Sequence, residues 1–185
     1  AVCADVKDQS SLEAISAVAH KSASVDYLLN ITATAENADK LDTVASSAAA
    51  VYINTDKIGS GNVSVFDSVF ESWPSDQVMI TEAKGTDLAS ILLLASIHGR
   101  AIHVSNVTSK DDLALIGMSK NKSLKVTCDV SIYSLFLNNT EVDSKALPSA
   151  ADQEGLWSKL SVIDCFSLGS TPAKLDGSAV AGIAE

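Results

Sequence analysis

Short apolar runs rich in β-branched residues recur along this chain with starts near 2, 25, 51, 78, 101, 124 and 162, roughly every 25 residues over the first six. They are Val2 to Ala4, Val25 to Ile31, Val51 to Ile53, Val78 to Thr81, Ala101 to Val104, Leu124 to Val130 and Val162 to Phe166. Between most of them lies a helical pattern. Leu88, Ile91, Leu92 and Ala95 form a stripe at i, i+3, i+4 and i+7. Ser109-x-x-Asp112 opens another helix that turns Leu113 and Ile116 inward, and Ser10-x-x-Glu13 reads as a capping box ahead of Leu12, Ile15 and Ala19. Apolar strands alternating with amphipathic helices predict a parallel sheet covered by helices.

The first strand runs into Asp5-Val6-Lys7-Asp8, without the glycines of a phosphate-binding turn. That favours a (β/α)8 TIM-type barrel over a doubly wound sheet. A closed barrel needs eight strands, so the expectation is an α/β barrel incomplete in the given chain, its first strand and last helix not seen. Residues 138–151, polar and containing Pro148, read as a long loop. With 185 residues, 46% of them hydrophobic and 5% aromatic, one domain over 1–185 with an aliphatic core is expected.

A net charge of −10 argues against nucleic acid and anionic membranes as partners. No apolar run reaches the ~18 residues of a membrane span, and no signal-peptide pattern is present, so a cytoplasmic protein is expected. Cys3, Cys128 and Cys165 are widely separated within apolar runs and read as buried, reduced thiols. The Asn-x-Ser/Thr sequons at Asn30, Asn62, Asn106, Asn121 and Asn138 are expected by chance in a chain this rich in Asn, Ser and Thr.

Barrels of this type carry their chemistry at the C-terminal ends of strands, which here offer Tyr52, Glu82, Asn106, Asp129 and Gly169. No catalytic set stands out. His20 and His98 fall on or at the end of helices, and His103 alternates away from Asn106. Glu82 and Asp129 read as hydrogen-bonded rim residues rather than a catalytic carboxylate pair. Gly59-Ser60-Gly61 is too short a motif to assign a phosphate site.

The segment GRAIHVSNVTSKDDLALIGMSKNKSLKVTCDVSIYSLFL, residues 99–137, resembles the dihydroorotase domain of large multifunctional pyrimidine-synthesis proteins. Phe70-Glu71-Ser72-Trp73-Pro74-Ser75, Glu36-Asn37-Ala38 and Leu156-Trp157 running into Val162 to Phe166 extend the likeness over nearly the whole chain. In that family the last strand continues into Asp-His-Ala-Pro-His; here those places read Gly169, Ser170, Thr171, Pro172 and Ala173.

The resemblance implies an amidohydrolase barrel in which a carboxylated lysine, histidines and an aspartate hold zinc and generate a hydroxide. Carried across, the lysine falls on Tyr52, the two later histidines on Glu82 and Asn106, and the aspartate on Gly169. Substrate-holding positions fall on Lys7, Tyr133, Ser134 and Ala173. A phenol carries no carbamate, an amide is a poor zinc ligand, and glycine offers none. The implied function is a catalytically defective dihydroorotase-like spacer between carbamoyl-phosphate synthetase and aspartate transcarbamylase domains, of the fungal type, without catalytic residues, metal or cofactor, and capable of forming a homodimer. The alternative is a regulatory barrel that keeps a pocket for a pyrimidine intermediate. Lys7 and Arg100 are its candidate anion holders, although Arg100 precedes its strand and is expected at the opposite end of the barrel.

Overall fold

The computed structural model describes residues 2–4 (backbone only), 9–24, 26–141 and 146–168. The chain forms two compact units, Ala1–His103 and Val104–Glu185. In the first, the order is β1 (Val2–Ala4), α1 (Gln9–Ser22), β2 (Leu29–Ala33), α2 (Asp42–Ala45), β3 (Ala50–Ile53), α3 (Thr55–Ile58), α4 (Val63–Ser72), β4 (Val78–Thr81) and α5 (Gly85–Ile97). The strand β5 (Ile102–Val104) runs across the boundary at His103. Neighbouring strands follow chain order, and β1 to β4 pair in parallel, with Val2 opposite Leu29, Asn30 opposite Ala50 and Ala50 opposite Val78. This is the layout that βα repeats at short spacing produce.

Ile31, Val51, Ile53 and Met79 on the strands are fully buried, as are Phe66, Val69, Phe70 and Trp73 from the α4 segment. The stripe Leu88, Ile91, Leu92 and Ala95 on α5 is buried as its spacing predicts. Each large aliphatic side chain so placed contributes about 1.5–3 kcal/mol. The helix α5 ends in a Schellman motif: Gly99 takes φ 63°, its N–H donates to Ser96, and the Arg100 N–H donates to Ala95 at 2.8 Å.

The second unit contains α6 (Lys110–Asn121), β6 (Val126–Ser131), α7 (Ile132–Phe136), α8 (Ala150–Ser158), a 3-10 turn (Leu160–Val162) and β7 (Cys165–Ser167). Strands β6 and β7 are parallel, Asp129 opposite Cys165. The Ser109 side chain caps α6 by accepting from the N–H groups of Asp111 and Asp112, and Leu113 and Ile116 are buried as expected. At the two described ends of the 138–151 stretch, the Asn139 N–H donates to Pro148, and Ser149 caps α8 at Asp152.

Several boundaries differ from the sequence expectation. Ser10 lies inside α1 rather than at a cap, and Gln9 donates from Nε2 to Glu13. Ile15 and Ala19 are only half-buried, leaving Leu12 as the buried residue of that face. The strand β2 begins at Leu29 because pairing with Val2 starts there; Tyr27 and Leu28 lie outside the sheet, and Leu28 is exposed. Val162 belongs to the 3-10 turn, and β7 is shifted to Cys165–Ser167. Cys165 is exposed, against the expectation of burial, because β7 leaves Cys165 and Phe166 uncovered, whereas Cys128 is buried as expected. The side chain of Cys3 lies outside the described residues.

Candidate functional site

In the first unit the ends of β3 and β4 border a cavity of about 320 Å³ lined by Tyr52, Ile53, Asn54, Thr55, Asp56, Glu82, Lys84 and Asp87. Two of the positions singled out from sequence, Tyr52 and Glu82, therefore share one site. Tyr52 is the third residue of the four-residue β3, and Glu82 follows β4 directly. Behind them, the Thr81 hydroxyl donates to the Ile53 carbonyl at 3.0 Å and accepts from the Ala83 N–H, fixing the two strand ends together.

The other lining residues come from local structure that the strand-end rule does not capture. Asn54 ends β3 in extended backbone, and its side chain accepts from the Asp56 and Lys57 N–H groups, starting α3. Asp87, in the first turn of α5, is 7% exposed and uses both oxygens: one accepts from the Ser60 hydroxyl at 2.6 Å, the other from the Gly61 N–H at 2.8 Å. Three carboxylates against one lysine make the lining predominantly acidic.

In the second unit Asn106 lies two residues past β5 in the left-handed region, φ 55°. Its N–H donates to Asp129 at 3.2 Å; Asp129 also accepts from the Ser105 hydroxyl at 2.7 Å and the Ser167 hydroxyl at 2.8 Å. The Val107 N–H donates to the Asp129 carbonyl. Asp129 is thus a hydrogen-bonded rim residue, joining β6 to the segment after β5 and to β7. Ser105 and Ser167 were not legible as its partners, since isolated serines carry no spacing signal. Tyr133 and Ser134 fall on α7, with Ser134 buried. Gly169, Lys7 and Ala173 lie outside the described residues.

Neither described thiol is set up as a nucleophile. Burial pushes Cys128 up to about 11, against the smaller opposing pull of Lys120, and burial followed by Asp129 and Asp164 raises Cys165. Arg100 is not an anion holder: its guanidinium donates to the carbonyls of Phe70, Trp73 and Pro74. Among the described residues no group of three or more His, Cys, Asp and Glu side chains is placed to hold a metal ion. By donor chemistry alone, the Tyr52 phenol and the Asn106 amide are poor zinc ligands, whereas the Glu82 carboxylate is an ordinary one.

The comparisons with known proteins agree with this architecture. The chain is 46% identical to the multifunctional protein pyrABCN of Emericella nidulans, over 100% of this chain and 8% of that protein. To the multifunctional protein ura1 of Schizosaccharomyces pombe it is 45% identical, over 91% of this chain and 8% of the relative. Among solved structures, the inactive dihydroorotase-like domain of the Chaetomium thermophilum CAD-like multifunctional protein superposes with a TM-score of 0.84 at 41% identity, over 94% of this chain and 54% of that one. L-Hydantoinase from Arthrobacter aurescens, 15% identical, shares the fold at a TM-score of 0.71, over 87% of this chain and 47% of that one. No family model matches the chain.

Parallel strands in chain order, helices between them and a rim of strand-end residues define a segment of an amidohydrolase-type (β/α)8 barrel. Within that class the chain belongs with the dihydroorotase-like domains of the fungal multifunctional proteins. It spans about half the length of the solved dihydroorotase-like domain and a small fraction of the multifunctional relatives. Those relatives carry such segments inside long multifunctional polypeptides. Among the described residues, no helix is long and apolar enough to cross a membrane.

Proposed function

We propose that residues 1–185 form one catalytically defective dihydroorotase-like barrel domain acting as a structural spacer in a multifunctional polypeptide of de novo pyrimidine biosynthesis. The flanking parts are carbamoyl-phosphate synthetase and aspartate transcarbamylase domains, the host is a cytoplasmic enzyme, and self-association as a dimer belongs to the same reading. The observation that carries it is the 41% identity, at a TM-score of 0.84, to a domain described as inactive. The residue types support it. Tyr52 offers a phenol where a bridging carbamate would be needed, and Asn106 offers an amide whose backbone is tied to Asp129. Gly169 adds a missing carboxylate on the sequence argument alone. With no ligand set there is no zinc-bound hydroxide, and no catalytic step is assigned to the domain.

A spacer depends on its packing and not on its rim. In the full-length host, Ile91→Asp places an unpaired charge at a fully buried position and is expected to unfold the domain and disturb its neighbours. Tyr52→Phe is expected to leave the neighbouring activities and their feedback control intact. A folded Tyr52→Phe protein with feedback abolished contradicts the spacer reading.

The alternative reading is a regulatory barrel that holds a pyrimidine intermediate: the cavity of about 320 Å³ beside Tyr52 and Glu82 supplies the space, and its acidic lining opposes an anionic ligand. Calorimetric titration with dihydroorotate and with carbamoyl aspartate separates the two. Saturable binding that Glu82→Ala abolishes supports regulation; no heat of binding supports the spacer.

A further inference from the structure

The wall of that cavity contains a segment that a carboxylate of α5 grips through two donors. Residues 54–62 leave β3, form the one-turn helix α3 and reach α4. The near half is stiffened by the Asn54 side chain, which ties Asp56 and Lys57 into the turn, and by the burial of Ile58. The far half is built differently. Gly59 and Gly61 take φ 96° and 75°, and neither has any atom within 4 Å of where a Cβ would stand. Their left-handed backbone is therefore not imposed by crowding. Between them, exposed Ser60 turns its hydroxyl to Asp87, and the Gly61 N–H reaches the other oxygen of the same carboxylate.

We propose that the Ser60–Asp87 contact is a latch that holds residues 59–61 against α5 at the edge of the cavity. Both walls meet in it: Thr55 and Asp56 of the segment line the cavity, and so does Asp87 on α5. A hydroxyl and an N–H on one ionised carboxylate form charge-assisted bonds, among the stronger contacts a surface loop can make. Glycine on either side of Ser60 lets the backbone swing once they are broken. The second unit repeats the device independently. There Asp129 takes the Ser105 hydroxyl on one oxygen and the N–H of the next residue, Asn106, on the other, and Asn106, like Gly61, is left-handed. A carboxylate gripping a serine and the following N–H is thus a recurrent means of fixing rim loops in this chain. This inference goes beyond the spacer reading and does not depend on it.

Amide hydrogen exchange on the whole chain tests the latch, with Ser60→Ala removing the hydroxyl bond and Asp87→Asn placing an amide where both donors point. Local opening should accelerate exchange of the Gly61 and Asn62 amides by about tenfold or more in each variant, with β3, α3 and the body of α5 unchanged. The double variant should exchange little faster than Asp87→Asn, because both substitutions break the same contact. Exchange within twofold of the unsubstituted protein overturns the proposal. So does acceleration that spreads equally through β3 and α5, which would make Asp87 a general stabilising residue and not a latch.

Discussion

Arg100 donates from Nη1 to the carbonyl oxygen of Trp73 at 2.7 Å, at the point where the chain leaves α4. The same nitrogen reaches Phe70 at 2.9 Å, and Nη2 reaches Pro74. Carbonyls at a helix end have no intrahelical partner, and here one guanidinium satisfies three. It arrives there because Gly99 turns the chain left-handed after α5. Burial pulls the guanidinium down from its usual value while Asp76 opposes, and the side chain still enters folding as a cation.

Arg100→Met, which keeps the apolar stem, is therefore expected to destabilise the protein by about 3 kcal/mol by leaving buried carbonyls unpaired. Arg100→Lys should recover only part of the loss, because an ammonium lacks the planar fork. Urea unfolding followed by circular dichroism measures both; a loss under about 0.5 kcal/mol for Arg100→Met would be inconsistent with the clamp.

The same helix ending occurs at α6 with a less suitable residue. Ser123 sits at φ 62°, its N–H bonded to Lys120 and the Leu124 N–H to Ser119. Glycine takes this conformation without the Cβ conflict, as Gly99 does after α5. Ser123→Gly should raise stability by about 0.5–1 kcal/mol, read from the thermal midpoint. A lower midpoint would show that the Ser123 side chain makes a compensating contact.

Acid should weaken the second unit through Asp164. Its carboxyl lies below the usual range: burial acts against this, but the Lys120 ammonium and the Cys128 N–H, at 2.7 Å, outweigh it. A carboxylate depressed on folding adds stability above its unfolded value and loses it as pH falls through the folded one. Asp164→Asn should thus be less stable than the parent at pH 7, and the difference should shrink as the pH falls below the ordinary aspartate range. A difference that persists unchanged into acid would rule out this linkage.

Much of the barrel rhythm was legible because apolar β-branched runs and a 3.6-residue stripe are local signals. Ala50–Ile53, Val78–Thr81 and Ile102–Val104 fall within a residue of their expected spans. Where the reading slipped, distant contacts decide. Tyr27 and Leu28 adjoin the apolar run, yet register with Val2 starts the strand at Leu29. Val162 looks like strand, but its carbonyl accepts from Lys120, 42 residues away, within a 3-10 turn. At the site, Tyr52 and Glu82 followed from the rule that barrels present strand-end residues. Asp87 did not, because an acidic residue in a first helical turn is indistinguishable in sequence from an ordinary favourable charge on the helix dipole.

Interconversion of dihydroorotate and carbamoyl aspartate by the full-length polypeptide, assayed with zinc supplied, tests the central claim of a non-catalytic domain most directly. No turnover above the uncatalysed background is predicted by the proposal that Tyr52, Glu82 and Asn106 stand at former ligand positions. Turnover that is lost in Glu82→Ala while the neighbouring activities persist would contradict the account and make the domain an enzyme.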